Sequence, residues 1–377
     1  MKRPIRVLQI TRGAIDGGFD FYREISQAFA GDDFQVTTVF VRGSLSQEEI
    51  ERYAGDVVLL DAKHRRRFRQ RWFVALKLWL MSRRAPFDLA ICHHHKPAVA
   101  VNTLNRLRPV DRMYFVVHDY DYFSPTRTHG PRRRNFVLND LDPRCTFIAV
   151  SQAMRDNILQ SLPQLDPQRC TVIPNAIDEA QLASDSLDRH AAREALGIDP
   201  DAFVFGTIGR LVAYKAHSEL IDAFAQVHER MPDARLLIVG RGKLRDRIAA
   251  QIRDLGLEHK IGLIGFLPKA ARYMTAFDVF VFPSHNEPFG LVLLEAMVNR
   301  LPILAADSGA VPEIVPNPDA LFETGDTNAL AARLLAIYNM PAAARLALGE
   351  LGHQHLQRNF SLEHYRDCYR RLWGNPG

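Results

Sequence analysis

Two glutamates eight positions apart, Glu287 and Glu295, stand where an apolar strand gives way to a helix in the run NEPFGLVLLEAM, residues 286–297. Residues 277–282 read as a buried strand bounded by Pro283 and Ser284, and LVLLEAM has helix-forming composition. Glu287 therefore falls on the strand-to-helix loop, and Glu295 about a turn inside the helix. At that helix start the backbone N–H groups of Phe289, Gly290 and Leu291 have no intrahelical acceptor. Carboxylates that accept hydroxyls, set beside free amides, suit a ligand carrying both sugar hydroxyls and negative charge.

Either glutamate alone would more often be a solvated surface residue; the companions give the pair meaning. Gly209 and Arg210 follow the apolar run 203–208, and Lys215 comes five residues after Arg210. Two cations at a strand's carboxyl end, beside a glycine that permits close approach, suit a diphosphate. Gly240 opens a second glycine turn after the run 235–239. Gly265, Phe266 and Leu267 end a third strand, where backbone and an aromatic edge can frame a base. In the first half, Gly17 and Gly18 stand at a helix start, and His118 ends the apolar run 113–117 as a polar partner for a sugar hydroxyl. His93, His94 and His95 alternate faces of an extended segment and do not make a metal site.

The elements that must position these residues alternate. Short apolar runs at 5–10, 35–41, 57–60, 89–92, 113–117 and 146–150 are separated by helical stretches, and the grammar restarts at 170–173, 203–208, 235–239, 260–265, 279–282 and 303–305. Strands separated by helices predict an α/β chain with parallel sheets and right-handed crossovers, here two successive doubly wound domains. The expected division is 1–170, 171–358, and a C-terminal helix over 359–377. At 377 residues with 47% hydrophobic and 24% charged residues the chain is long enough for two globular cores. No apolar run reaches eighteen residues, and residues 1–13 pass straight into a strand with no signal-peptide core. Cys92, Cys145, Cys170 and Cys368 show no paired spacing. These features predict a cytoplasmic protein with reduced thiols, expected to need no cofactor and no metal.

Charge is uneven. Residues 1–175 hold 27 Lys and Arg against 18 Asp and Glu, a net of +9, and the remainder 21 against 25, a net of −4. Residues 63–84, KHRRRFRQRWFVALKLWLMSRR, hold nine of those cations, no acid, and interleaved Trp72, Phe73, Leu76, Trp79 and Leu80. That composition suits an interfacial segment attracted to anionic headgroups, and so a peripheral position on the inner face of the cytoplasmic membrane. Nucleic acid is the less favoured rival, and a solvated helix whose aromatics pack inward the plainest reading.

Together these motifs resemble the retaining glycosyltransferases with the GT-B fold, the large family marked by Glu-x7-Glu. Glu287 to Met297 resembles that signature, and the supporting motifs fall in the family's order: Gly17-Gly18, His118-Asp119, Val150-Ser151, Val172 to Asn175, Gly209-Arg210 with Lys215, and Gly265 to Leu267. The resemblance implies two Rossmann-like domains, the first for the acceptor and the second for a nucleotide-diphosphate sugar, with UDP the prior for the nucleotide. It implies that Arg210 and Lys215 bind the diphosphate, that Glu287 holds donor-sugar hydroxyls, and that Glu295 takes the ribose. Gly18 would approach the phosphates, His118 the donor sugar, and the C-terminal helix would return to the first domain. It implies metal-independent transfer to a saccharide acceptor such as a lipopolysaccharide core or another glycolipid. Ala216 and Ala176 stand where the family commonly has glycine. An epimerase or phosphorylase on the same fold is the alternative enzyme, and a basic membrane- or nucleic-acid-binding protein the alternative outside enzymes.

Overall fold

The structure, a computed structural model, describes residues 3–13, 21–61, 67–83, 85–120, 122–124 and 129–374. The chain forms two compact units. One holds the described residues up to Asn175 together with the segment from Leu362 onward, and the other holds Ala176–Ser361.

The first unit is built on seven parallel strands: β1 (Ile5–Thr11), β2 (Phe34–Phe40), β3 (Asp56–Leu59), β4 (Leu89–His93), β5 (Arg112–Val117), β6 (Thr146–Ala149) and β7 (Cys170–Val172). They lie in the order β3-β2-β1-β4-β5-β6-β7. The central strands are mainly apolar because helices cover both faces; every residue of β4 is buried, the terminal His93 included. The strand at Cys170–Val172, which by sequence starts the second series, instead pairs with β6 through Phe147 and Cys170, Ile148 and Thr171, and Ala149 and Val172. Three residues between two loops carry no information about which sheet they join, so the pairing decides it.

The helix Leu362–Gly374 belongs to this first unit, nearly two hundred residues after β7. It packs on the helix Phe21–Ala28, where Arg366 Nε donates to Glu24 Oε2 at 3.1 Å and Arg370 Nε to the Ala28 carbonyl at 2.9 Å. Tyr365 and Tyr369 are each 2% exposed, and Arg112 and the Tyr114 hydroxyl both donate to the Leu372 carbonyl.

The second unit has six parallel strands: β8 (Phe203–Ile208), β9 (Ala234–Val239), β10 (Ile261–Gly265), β11 (Val279–Phe282), β12 (Ile303–Asp307) and β13 (Leu321–Glu323). Their order is β10-β9-β8-β11-β12-β13, so the chain leaves β8 to one side and returns on the other. Its core is apolar from strands and helices alike, with Phe205, Leu220, Phe224, Ile238 and Val281 all buried. The polar stretch 178–201 is mostly helical: Asp178 caps Glu179–Asp185, Asp188 caps Arg189–Leu196, and Gly197 closes the second helix at φ 64°. Among the described residues no helix is long and apolar enough to cross a membrane.

Candidate active site

The carboxyl ends of β8 and β11 lie side by side at the switch in strand order, where sheets of this class open a crevice. Gly209 and Arg210 leave β8, and Glu287 leaves β11. The turns press together: Gly240, at φ 151°, donates to the Gly265 carbonyl at 2.8 Å, and a Cβ on it would stand 1.8 Å from the Gly209 carbonyl oxygen. Only glycine fits there. Gly209, Gly240 and Gly265 are separate turns in the sequence, and the fold brings them into direct contact.

At the centre, Lys215 Nζ donates to Glu287 Oε2 at 2.6 Å, and both side chains are about nine-tenths buried. Lys215 also stands 4.9 Å from the Phe282 ring centre and 5.4 Å from that of Tyr214. Arg210 is exposed and donates to the Tyr214 hydroxyl at 2.5 Å. Tyr214 is thus the shared prop of both cations, a role its sequence position beside Lys215 hints at but does not specify. The Glu287 loop is pinned from β12: Asn286 N–H donates to Ser308 Oγ at 2.5 Å, and Ala310 N–H to the Glu287 carbonyl at 3.0 Å. Ser308 escapes a reading by spacing because it lies on the next strand end.

Helix Leu291–Val298 begins at Gly290, whose φ of 86° turns the chain. A Cβ there would press on Glu287 Cγ at 3.3 Å and Phe282 Cζ at 3.3 Å. The N–H groups of Phe289, Gly290 and Leu291 donate to no acceptor among the described residues. The Phe289 side chain is core, 3% exposed and edge-on to Phe360. Its contribution to the site is its backbone. Glu295 has no partner for its carboxyl among the described residues, and burial pushes it up to about 7. Phe266 is 56% exposed with the Arg241 guanidinium 4.2 Å from its ring centre, while Leu267 beside it is partly buried. His217, two positions after Lys215, is buried with Nδ1 unpartnered, and burial followed by the Lys215 charge lowers it to about 4.

His118 lies in the first unit, at the end of β5. Its Nε2 is 3.1 Å from His93 Nδ1, and the Phe21 ring stacks on it at 4.7 Å. Burial, then His94, lowers it to about 3, so it is a neutral hydrogen-bonding group at neutral pH. The three consecutive histidines diverge: His93 bonds His118, His94 Nε2 meets the Tyr22 hydroxyl at 3.3 Å, and His95 starts a helix. Among the described residues no group of three His, Cys, Asp or Glu is arranged to hold a metal ion. Gly17 and Gly18 lie outside the described residues, as do positions 63–66 and 84 of the basic stretch.

Two family models match in tandem: Glycosyltransferase Family 4 over residues 15–181 and Glycosyl transferases group 1 over residues 188–355. The chain belongs to the group 1 glycosyltransferases, and its two Rossmann-like units are those of the GT-B architecture. Among curated relatives, it is 30% identical over 236 residues to the alpha-maltose-1-phosphate synthase of Mycolicibacterium smegmatis, covering 58% of this chain and 59% of that one. The chain spans about half the length of the curated relatives it matches. Two solved structures share the fold over 98% of this chain and 99% of theirs. Anabaena HepE, crystallised with UDP and glucose, superposes with a TM-score of 0.81 at 20% identity. The lipopolysaccharide outer core galactosyltransferase WaaB superposes at 0.71 and 14%.

Proposed function

We propose that this chain transfers a sugar, with retention and without a metal, from a nucleotide-diphosphate sugar to a saccharide carried on an anionic glycolipid of the lipopolysaccharide-core kind. The observation that carries the donor half is the buried Lys215–Glu287 pair at 2.6 Å, one helical segment from Glu295, which is unpaired among the described residues. Glu287 commits Oε2 to Lys215, which leaves Oε1 to accept a donor-sugar hydroxyl. Lys215 in turn can share its remaining protons with a diphosphate, and Arg210 lies four residues from the tyrosine that props both.

Cleavage of the sugar–phosphate bond builds negative charge on the departing diphosphate. Fixed cations and the open N–H groups at Phe289, Gly290 and Leu291 meet that charge without reorganising, worth about 3 kcal/mol per well-placed donor. A carboxylate held in an ion pair is a hydrogen-bond acceptor first and a nucleophile second, which favours attack by the acceptor hydroxyl on the face the nucleotide leaves. The neutral His118 suits contact with a sugar that becomes cationic, since an imidazolium would oppose it. UDP is the favoured nucleotide, supported by the UDP bound to HepE.

A screen of nucleotide sugars by thermal stabilisation and by release of free nucleotide tests the reading. A true donor at a hundred times its Kd stabilises by about 2.7 kcal/mol. Glu287→Ala is expected to abolish turnover; full turnover in that variant would sink the assignment.

The acceptor half is supported by the helix Arg67–Met81. It buries Val74, Ala75 and Leu78 and leaves Trp72, Leu76 and Leu80 exposed at 49%, 53% and 43%. These three recur every four residues, one face of a helix, in a segment without acids. The aromatics of this helix do not all pack inward.

A further inference from the structure

At the switch in strand order of the first sheet, between β1 and β4, a pocket of about 780 Å³ opens on side chains whose charge is mainly positive. Arg12 comes from the end of β1, Arg71 from the helix Arg67–Met81, Lys96 from the helix after β4, and Arg132 and Arg133 from the helix Gly130–Asn135. Among the described residues one carboxylate, Asp119, stands against these five cations, a formal excess of +4. Elsewhere in the chain Arg193, Arg366 and Lys215 each face a carboxylate, on Asp278, Glu24 and Glu287. In the pocket the groups that orient Arg71 and Arg133 are neutral. Arg71 Nε donates to Thr103 Oγ1 at 2.9 Å, and Arg133 lies 4.0 Å over the Tyr122 ring and donates to the Tyr122 carbonyl. Arg12 and Arg132 make no side-chain hydrogen bond or ion pair among the described residues and are exposed. His95 in the pocket registers the same field: burial and then Arg133 lower it to about 4, and its Nδ1 is shielded from solvent with no partner among the described residues.

Gathering five cations from four segments around one acid opposes folding by mutual repulsion, so such an arrangement answers to a bound anion. One guanidinium suffices for a carboxylate, whereas cations converging from several sides match the three outer oxygens of a phosphate monoester. Val74, Val99 and Ala100 add an apolar wall of the kind a sugar ring can lie against. We propose that this pocket binds a phosphorylated saccharide, the phosphate on the Arg12–Arg71–Arg132 side, and so selects acceptors bearing a phosphomonoester on the sugar. The proposal rests on the transferase reading for the word acceptor, but the binding site stands on its own residues.

Titration calorimetry on the full chain with glucose 6-phosphate, against glucose, tests it. Wild-type protein is expected to bind the phosphorylated sugar, with affinity falling about tenfold or more in Arg12→Glu and in Arg132→Glu, and largely kept in Arg132→Lys. Arg210→Ala should bind it as wild type does. Loss in Arg210→Ala with the pocket variants unaffected would put the phosphate at the donor site and overturn the proposal. Equal affinity for glucose, or no binding of glucose 6-phosphate, would overturn it as well. Vesicles of phosphatidylcholine with phosphatidic acid form a further arm: dependence on Arg132 there, without binding of glucose 6-phosphate, would assign the pocket to a lipid headgroup instead. Release of UDP from UDP-glucose by wild-type protein reports on the transferase reading separately. Its failure alongside charge-dependent sugar-phosphate binding leaves the pocket standing, and the reverse result leaves only the transferase.

Discussion

Lys215 and Glu287 are 72 positions apart in the chain and 2.6 Å apart in the fold, and neither is interpretable without the other. Glu295 is the opposite case, a carboxyl with burial and no partner among the described residues. Its pKa of about 7, against an ordinary value near 4.5, means that the folded state holds the proton more tightly than the unfolded chain. The associated stability is therefore full below pH 4.5 and is lost as pH rises through 7. A tenfold difference in proton affinity is worth about 1.4 kcal/mol, so the loss is on the order of 3 kcal/mol. Glu295→Gln should escape that loss: denaturant melts at pH 5 and pH 8 are expected to show the variant gaining on wild type as pH rises. The same substitution should remove a rise in nucleotide affinity between pH 6 and pH 8, because only the carboxylate accepts two hydroxyls at once. A second expectation concerns Ala216, held at φ 50° where an L-residue with a Cβ is strained. Ala216→Gly is expected to raise stability by about 1 kcal/mol, measured by denaturant midpoint with unchanged slope.

At the scale of elements, the helix Leu362–Gly374 is the most consequential piece outside the sheets. Glu24 is 1% exposed and held by Arg366 from that helix and by Arg23 beside it. Arg366→Ala leaves a buried carboxylate short of a partner and is expected to cost about 3 kcal/mol in denaturant unfolding of the first unit. Adding Glu24→Gln should recover part of that loss, since the charge left behind, not the missing contact alone, is what destabilises. The composition of residues 362–373 marks this helix in the sequence, while the carboxylate that anchors it lies more than three hundred positions away. Other elements are legible only in part. The polar stretch 178–201 holds two capped helices that its composition hides. The three-residue β13 is too short for any pattern, and β7 is recognisable as a strand but not as a member of the first sheet.

At the scale of the molecule, charge is segregated, with +9 up to residue 175 and −4 beyond it. If the outward stripe of Trp72, Leu76 and Leu80 meets an anionic surface, binding combines a salt-sensitive and a salt-insensitive part. Co-sedimentation with phosphatidylglycerol vesicles is expected to weaken as salt rises from about 0.05 to about 0.5 M, where the Debye length falls well below about 10 Å. Leu76→Ala should weaken it at every salt concentration. Sedimentation indifferent to both salt and anionic lipid would count against the membrane face.

Local pattern is enough for the class of fold and for singling out the residues of the candidate site. Alternation of apolar runs with helical stretches is a property of neighbouring residues, and so is a glycine turn or an acid at a helix start. Arg210, Lys215, Glu287 and Glu295 therefore stand out by the order in which strand ends present them. What those residues are to one another depends on the packed molecule. Packing pairs Lys215 with Glu287, leaves Glu295 unpaired among the described residues, gives both cations Tyr214 as a prop, and uses Ser308 to pin the loop. It also gathers Arg12, Arg71, Lys96, Arg132 and Arg133 from four segments into one pocket, although 27 cations scattered over 175 residues announce no such meeting. The reason is physical: strand and helix periodicity act over a few residues, whereas a parallel sheet brings together the carboxyl ends of strands that crossovers hold far apart in sequence.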